Sequence, residues 1–211
     1  MEISALPLFR GVPAEELPAL LARASARTCA FQKGELLLRR GDVTRRLGLV
    51  LEGSVHIIRE DFWGNRSIVG LAGPGEVFAE SYALAGEPLE VSVLAAAPGA
   101  ALFLEADGLT DARLTANLLH LLARKNLMLT RKMRHMARRT TREKLLSYLS
   151  AQALRSGGPE FDIPMDRQQL ADFLAVDRSA MSAALGKLRD EGVLTFRKNH
   201  FHLLRQGEER D

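Results

Sequence analysis

Four residues near the end of the chain have the types and spacing to read a nucleic-acid duplex: Arg178, Ser179, Ser182 and Ala183. On a helix they occupy the front turn and the turn behind it. An arginine fork bonds both acceptors on a guanine edge, which no serine or lysine does as selectively. Serine donates or accepts, so Ser179 and Ser182 are less selective readers. Ala183 offers only a methyl, to touch a thymine methyl or to leave clearance. Groups suited to phosphates surround them: Thr140, Arg142, Arg167, Gln168, Lys187, Arg197 and Lys198, with the backbone amides of the helix start.

The elements that must position these residues follow in close order. Asp166 caps a helix written RQQLADFLAV, and Asp177 caps a second, RSAMSAALGKLRDE, which stops at Gly192. Ala175-Val176 leaves room only for a tight turn, so the two helices cross steeply. Leu170, Ala171 and Leu174 then meet Met181, Leu185 and Leu188, and the small Ala171 and Ala184 permit a close crossing. VLTFRKNHFHLL predicts two brief strands about a turn at Lys198-Asn199. That is a helix-turn-helix with a wing, whose second helix enters the major groove by its first residues.

Upstream, Leu114, Leu118, Leu121, Leu122, Met128, Leu129, Met133 and Met136 recur at helical spacing, flanked by Arg124, Lys125, Arg131 and Lys132. Residues 110–136 predict a rod of about 40 Å. A rod with one apolar seam points to pairing with a second copy; packing on the rest of its own chain is the alternative. Lys125 in a seam position would tune such a pairing. Thr140 or Thr141 caps the next helix, which ends before Gly157-Gly158-Pro159, and FDIPM is extended.

The first half of the chain has a different period. After a short helix within residues 13–26 come brief apolar runs separated by turns at Gly34, Gly41, Gly53, Gly64-Asn65, Gly73-Pro74-Gly75 and Pro98-Gly99. Such spacing predicts an all-β barrel or sandwich, interrupted only by a helical turn in AESYALAG.

Composition narrows the function classes. Apolar residues make up 46% of the 211, which suits a globular chain. The net charge of +3 is uneven: residues 1–107 hold 10 Lys/Arg against 14 Asp/Glu, and residues 108–211 hold 19 against 12. A basic second half suits a polyanion partner. The single cysteine, Cys29, excludes an internal disulfide and an all-cysteine metal or iron–sulfur site within one subunit. The start of the chain reads as no signal peptide and no run is long enough to span a membrane, so a cytoplasmic setting without membrane contact is expected. No nucleophile, base or metal-ligand set has the spacing of an enzyme site, and no phosphate loop is present.

The chain resembles the cyclic-AMP receptor protein and fumarate–nitrate regulator (Crp/Fnr) family over roughly residues 8–206. The motifs that carry the resemblance are FQKGELLLRRGD, LVLEGSVHIIRED, GPGEVFAES and RQQLADFLAVDRSAMSAALGKLRDEGVL. It implies an α+β chain in three parts: a β-roll of the cyclic-nucleotide-binding type over 1–108, a dimerisation helix over 109–137, and a winged helix-turn-helix over 138–211. It also implies a homodimer on a pseudo-palindromic operator, an RNA polymerase partner and control by a small effector.

Arg178 falls where one branch has a base-reading arginine. Ser179 replaces a common glutamate, Ser182 matches a serine of the other branch, and Ala183 replaces another arginine, so the half-site should differ from either familiar one. Nucleotide-binding members follow a ribose-binding glutamate, here Glu80, with an Arg-Ser pair for the cyclic phosphate. Here those positions are Glu90 and Val91, and a carboxylate there repels a phosphate. No tight cyclic-nucleotide binding is therefore expected. Candidate effector contacts are Glu80, Ser81, Tyr82, Glu90 and Ser92, with Leu121, Arg124, Lys125 and Met128, for a ligand that is apolar, cationic or mixed.

The cysteine cluster of the iron–sulfur branch is missing, and Cys29 is expected to be a buried bystander, with a redox switch as the alternative. His56, His120, His135, His200 and His202 form no clear haem pair, so no cofactor or metal is expected. The competing function is a sensory homodimer whose winged helix binds a protein partner.

Overall fold

The computed structural model describes residues 3–60, 63 and 66–204. It divides into two compact units, 1–123 and 124–211. The boundary falls inside one helix, not at either of its ends.

In the first unit, two short 3-10 turns and α1 (Leu17–Arg23) precede six strands: β1 (Arg27–Phe31), β2 (Leu36–Leu38), β3 (Arg46–Glu60), β4 (Arg66–Ala72), β5 (Val77–Phe78) and β6 (Ser92–Glu105). All pairings among them are antiparallel, in the order β1-β6-β3-β4, with β2 added to β6 and β5 to β3. The expected turn at Gly64-Asn65 lies outside the described residues. The helical interruption within AESYALAG is α2 (Glu80–Ala85), entered through Ala79 at φ 58° and left through Gly86 at φ 71°.

The long strands β3 and β6 run side by side because their bulges let both curve. A core of Phe31, Val50, Val55, Ala72, Phe78, Val93, Ala95 and Ala101 fills the inside of this curved sheet. Gly48 is required there: a Cβ on it would sit 2.0 Å from the tip of the Phe78 ring. A second core joins Leu8, Phe9, Leu20, Leu47, Leu49, Leu102 and Leu104 to the start of helix α3 (Ala112–Met136).

In the second unit, α4 (Thr141–Ser156), β7 (Glu160–Asp162), α5 (Arg167–Leu174), α6 (Arg178–Asp190), β8 (Leu194–Arg197) and β9 (His200–Leu203) follow in order. The three strands form one antiparallel sheet, β7-β9-β8. Leu145 and Leu149 of α4, Leu170, Ala171 and Leu174 of α5, Met181, Leu185 and Leu188 of α6, and Phe201 of β9 make its core.

Candidate nucleic-acid interface

Helix α6 is fixed at its front by its own cap. The Asp177 carboxylate accepts from the Ala180 amide at 2.8 Å and from the Ser179 hydroxyl. These bonds, the Ser179 hydroxyl foremost, hold the Asp177 carboxyl below its ordinary range. Behind the cap, the three buried residues Met181, Leu185 and Leu188 repeat at spacings of four and three and pin one face. The opposite face is left to solvent: Arg178, Ser179, Ser182 and Ala183 are all exposed. The Ser182 hydroxyl donates back to the Arg178 carbonyl at 2.9 Å. The Arg178 guanidinium has no ion pair or hydrogen bond among the described residues, so its fork is unspent.

Helix α5 is built by the same rule. Asp166 accepts from the Gln169 amide at 2.8 Å, and the Gln169 side chain accepts from the Asp166 amide at 2.9 Å, a complete capping box. The turn to α6 passes through Ala175 at φ 49°. Lys144 of α4 donates to the carbonyls of Leu174 and Ala175 at 3.3 Å each, which satisfies the end of α5.

The expected phosphate-binding residues fall into three groups. Lys187, Arg197 and Lys198 are exposed and unpaired among the described residues, the last at the wing turn with φ 52°. Thr140, Arg142 and Gln168 are exposed or half-buried but engaged. Thr140 caps α4 by accepting from the Glu143 amide, Arg142 pairs with Glu191 at 2.6 Å, and Gln168 donates to Asp172 at 2.9 Å.

Arg167 departs from expectation. Its guanidinium lies 4.8 Å and 4.9 Å from the ring centres of Phe196 and Phe201, and donates to the Lys198 carbonyl at 2.8 Å. Its Nη1 is buried without a hydrogen-bond partner among the described residues, and burial lowers its basicity. The side chain braces the wing and is not a free phosphate hand.

The rod needs a larger correction. Leu114 and Leu118 are buried in the first unit's own core, with Leu121 and Leu122 packed against it, because the first turns of α3 must cover the end of the sheet. Met128, Leu129, Met133 and Met136 are exposed as a pairing face requires, and so are Leu119 and Leu127, which lie outside the seam expected from the sequence. Leu119, Leu122, Asn126, Leu129, Met133 and Met136 share one face of the helix at alternating spacings of three and four, with Leu122 half-buried against the first core. Asn126 occupies the middle of that face, not Lys125, which is half-buried.

At the far end of α3, His135 is buried, with Nδ1 2.9 Å from the Ser147 hydroxyl and its ring edge-on to Tyr148. This histidine joins the helix to α4 inside the second unit, and nothing in its sequence spacing indicated so.

Among the effector candidates, Ser81, Tyr82 and Glu90 line one cleft of about 620 Å³ together with Arg40 and Glu87. Ser92 lines a neighbouring cleft of about 420 Å³, and its hydroxyl accepts from the Arg40 amide at 3.1 Å. Glu80 is 2% exposed and lines neither. Leu121 packs on the first core, while Arg124 and Met128 are exposed. Arg40, whose guanidinium donates to the Glu60 carbonyl at 2.7 Å, was not foreseen. Cys29 is exposed on β1, which corrects the expectation of a buried bystander. Among the described residues no three His, Cys, Asp or Glu side chains come together as metal ligands, and no helix is long and apolar enough to cross a membrane.

Comparison with known proteins agrees with this geometry. A cyclic nucleotide-binding domain model matches residues 28–115, and a Crp-like helix-turn-helix domain model matches residues 143–206. The cyclic AMP receptor protein of Thermus thermophilus is 30% identical over 195 residues, covering 89% of this chain and 88% of its own. The nitrogen fixation regulation protein FixK of Azorhizobium caulinodans is 27% identical, with 94% and 84% covered. The structure of CprK complexed with OCPA is similar in fold, with a TM-score of 0.70 at 17% identity and 92% of each chain covered. The capped helix pair, wing, sheet domain and relatives lead to one assignment: the chain belongs to the Crp/Fnr family of transcription regulators and carries that family's helix-turn-helix DNA-binding domain.

Proposed function

We propose that this chain acts as a homodimer that reads a pseudo-palindromic operator with Arg178 and answers to a small effector other than a cyclic nucleotide. The observation that carries the reading is the front of α6, where a capped helix presents, on an exposed face, a guanidinium without a partner among the described residues. Arg178 would take a guanine through both acceptors, and Ala183 would leave room or meet a thymine methyl. Thr140, Lys187, Arg197 and Lys198 would hold phosphates, with Arg142 and Gln168 beside them once released from Glu191 and Asp172. RNA polymerase is the protein partner this role would need. Selection from randomised duplexes tests the reading: Arg178→Ala should lose one guanine preference per half-site.

Crp/Fnr regulators act as dimers. For this chain the pairing would use Leu119, Leu122, Leu129, Met133 and Met136, five apolar residues at coiled-coil spacing, with Asn126 among them. A polar residue inside an apolar seam lowers pairing strength and rewards only the register in which it meets its twin. Paired rods would set two recognition helices about 34 Å apart, one turn of duplex.

Support for a non-nucleotide effector comes from the cleft chemistry. By the family resemblance, exposed Glu90 and half-buried Val91 take the positions of the Arg-Ser pair that would hold a cyclic phosphate, and Glu87 adds a second carboxylate to the cleft that Glu90 lines. Arg40 is the cationic group among them. A ligand bearing an amine as well as an apolar body suits this set better than a phosphodiester does. Calorimetric titration with cyclic AMP and cyclic GMP should give no submicromolar binding; such binding would contradict this part of the reading.

A further inference from the structure

We infer that Ser179 and Ser182 read DNA only as hydrogen-bond acceptors, so each selects by which strand carries the exocyclic amino group. The inference rests on α6 being the recognition helix, as proposed above. It goes beyond that reading by fixing the direction of two hydrogen bonds, and with it the class of base.

A hydroxyl has one proton and two lone pairs. In both serines the proton is already committed. Ser179 donates to the Asp177 carboxylate, which the Ala180 amide also holds at 2.8 Å, so the acceptor is fixed in place. Ser182 donates to the Arg178 carbonyl at 2.9 Å. A hydroxyl–carboxylate bond is charge-assisted and about twice as strong as a neutral one, so Ser179 is the harder of the two to turn round. What remains facing outward from each exposed side chain is a pair of lone pairs.

That polarity has a specific consequence in the major groove. Each base pair presents one amino donor there, adenine N6 or cytosine N4, while thymine O4, guanine O6 and the N7 of either purine accept. An acceptor-only group therefore cannot tell A·T from G·C. It can tell which strand bears the amino base. On the strand facing Ser179, adenine and cytosine satisfy the hydroxyl and guanine and thymine do not. Arg178, one residue earlier and with donors only, favours the other class, guanine first, because guanine alone offers its fork two acceptors. Two adjacent side chains of opposite polarity would thus sort bases into keto and amino classes. Ser182, bonded to a neutral carbonyl, should show the same preference more weakly.

The test is selection of randomised duplexes by the full-length chain, in the presence of small molecules from a cell extract, alongside Ser179→Ala, Ser182→Ala and Asp177→Gly. The expected wild-type result is one position per half-site where A and C, on one strand, are each enriched about fivefold over G and T, the size of a single modest base contact. Ser179→Ala should even out that position while the guanine beneath Arg178 persists. Asp177→Gly keeps the serine and, as a tolerated cap residue, keeps the helix. By freeing the hydroxyl to donate, it should broaden the same position, which a merely structural serine would not do.

Selection of G or T at the Ser179-dependent position, no change with Ser179→Ala, or an amino preference that survives Asp177→Gly would each overturn the inference. A wild-type chain that enriches no duplex would instead remove the recognition-helix reading, and this inference with it.

Discussion

Helices α5 and α6 both start with an aspartate cap followed by arginine, Asp166-Arg167 and Asp177-Arg178, and the two arginines end in different surroundings. Arg167 lies over two phenylalanine rings and ends on a wing carbonyl; Arg178 is exposed, with no partner for its fork among the described residues. The cap fixes where a helix starts and says nothing about what its first side chain meets. Phe196 and Phe201 reach the front of α5 because β8 and β9 fold back beside it, and a guanidinium over an aromatic face is both attracted and desolvated. The same residue type in the same local position becomes a brace in one helix and stays exposed to solvent in the other.

Exchanging the two roles by mutation is the sharpest way to break this contrast. Arg178→Ala should lower discrimination of the operator from other duplexes by about 10- to 100-fold, a loss of about 1–3 kcal/mol. Its effect on stability should stay within about 0.5 kcal/mol, as for other exposed positions. Arg167→Ala should do the reverse. Removing the guanidinium from the two rings, together with its charged hydrogen bond, should cost about 2 kcal/mol of folding stability in denaturant titrations, with base preferences retained. A loss of base preference in Arg167→Ala that exceeds the effect of its destabilisation would cancel the distinction.

Asn126→Leu should strengthen self-association and blur register, seen as a lower dimer dissociation constant with mixed species in sedimentation. Arg197→Ala with Lys198→Ala should weaken binding to all duplexes alike and reduce the salt slope by about 1 for each phosphate left without its cation.

The smallest effects concern two histidines with opposite signs. His200, between Glu160 at 3.0 Å and Asp162 at 3.1 Å, has its pKa raised by those two hydrogen bonds. Its contribution is complete below the ordinary value of 6.5 and fades as pH climbs through the raised one. His135 has its pKa lowered by burial first, then by Arg134, Arg155 and Arg138. The unfolded chain takes up that proton more readily, so stability falls as pH drops from 6.5 through the lowered value. In thermal melts across pH, His200→Gln should flatten the limb above 6.5 and His135→Gln the limb below it.

The second unit was largely legible in the sequence because its signals are local. Asp166, Asp177 and Thr140 act within three residues, and the core set Leu170, Ala171, Leu174, Met181, Leu185 and Leu188 follows from helical period alone. What escaped depends on long-range partners. Leu114 and Leu118 share a helical period with exposed Met133, and only the sheet they cover tells them apart. The capture of Arg167 requires Phe196 and Phe201, which lie far along the chain on the wing strands. Arg40 joins Ser81, Tyr82 and Glu90 in a cleft only because β2 and α2 end close together. Polar side chains spent on other groups, such as Ser179 on Asp177, leave no trace in spacing.

The most direct measurement is the ratio of dissociation constants for a selected duplex and bulk genomic competitor, at one salt concentration, for wild type and Arg178→Ala. The wild-type chain should favour its duplex by about 10³-fold or more, and the variant should fall about 10- to 100-fold short of that while remaining folded and paired. An unchanged ratio in the folded variant would contradict the claim that this guanidinium reads the operator.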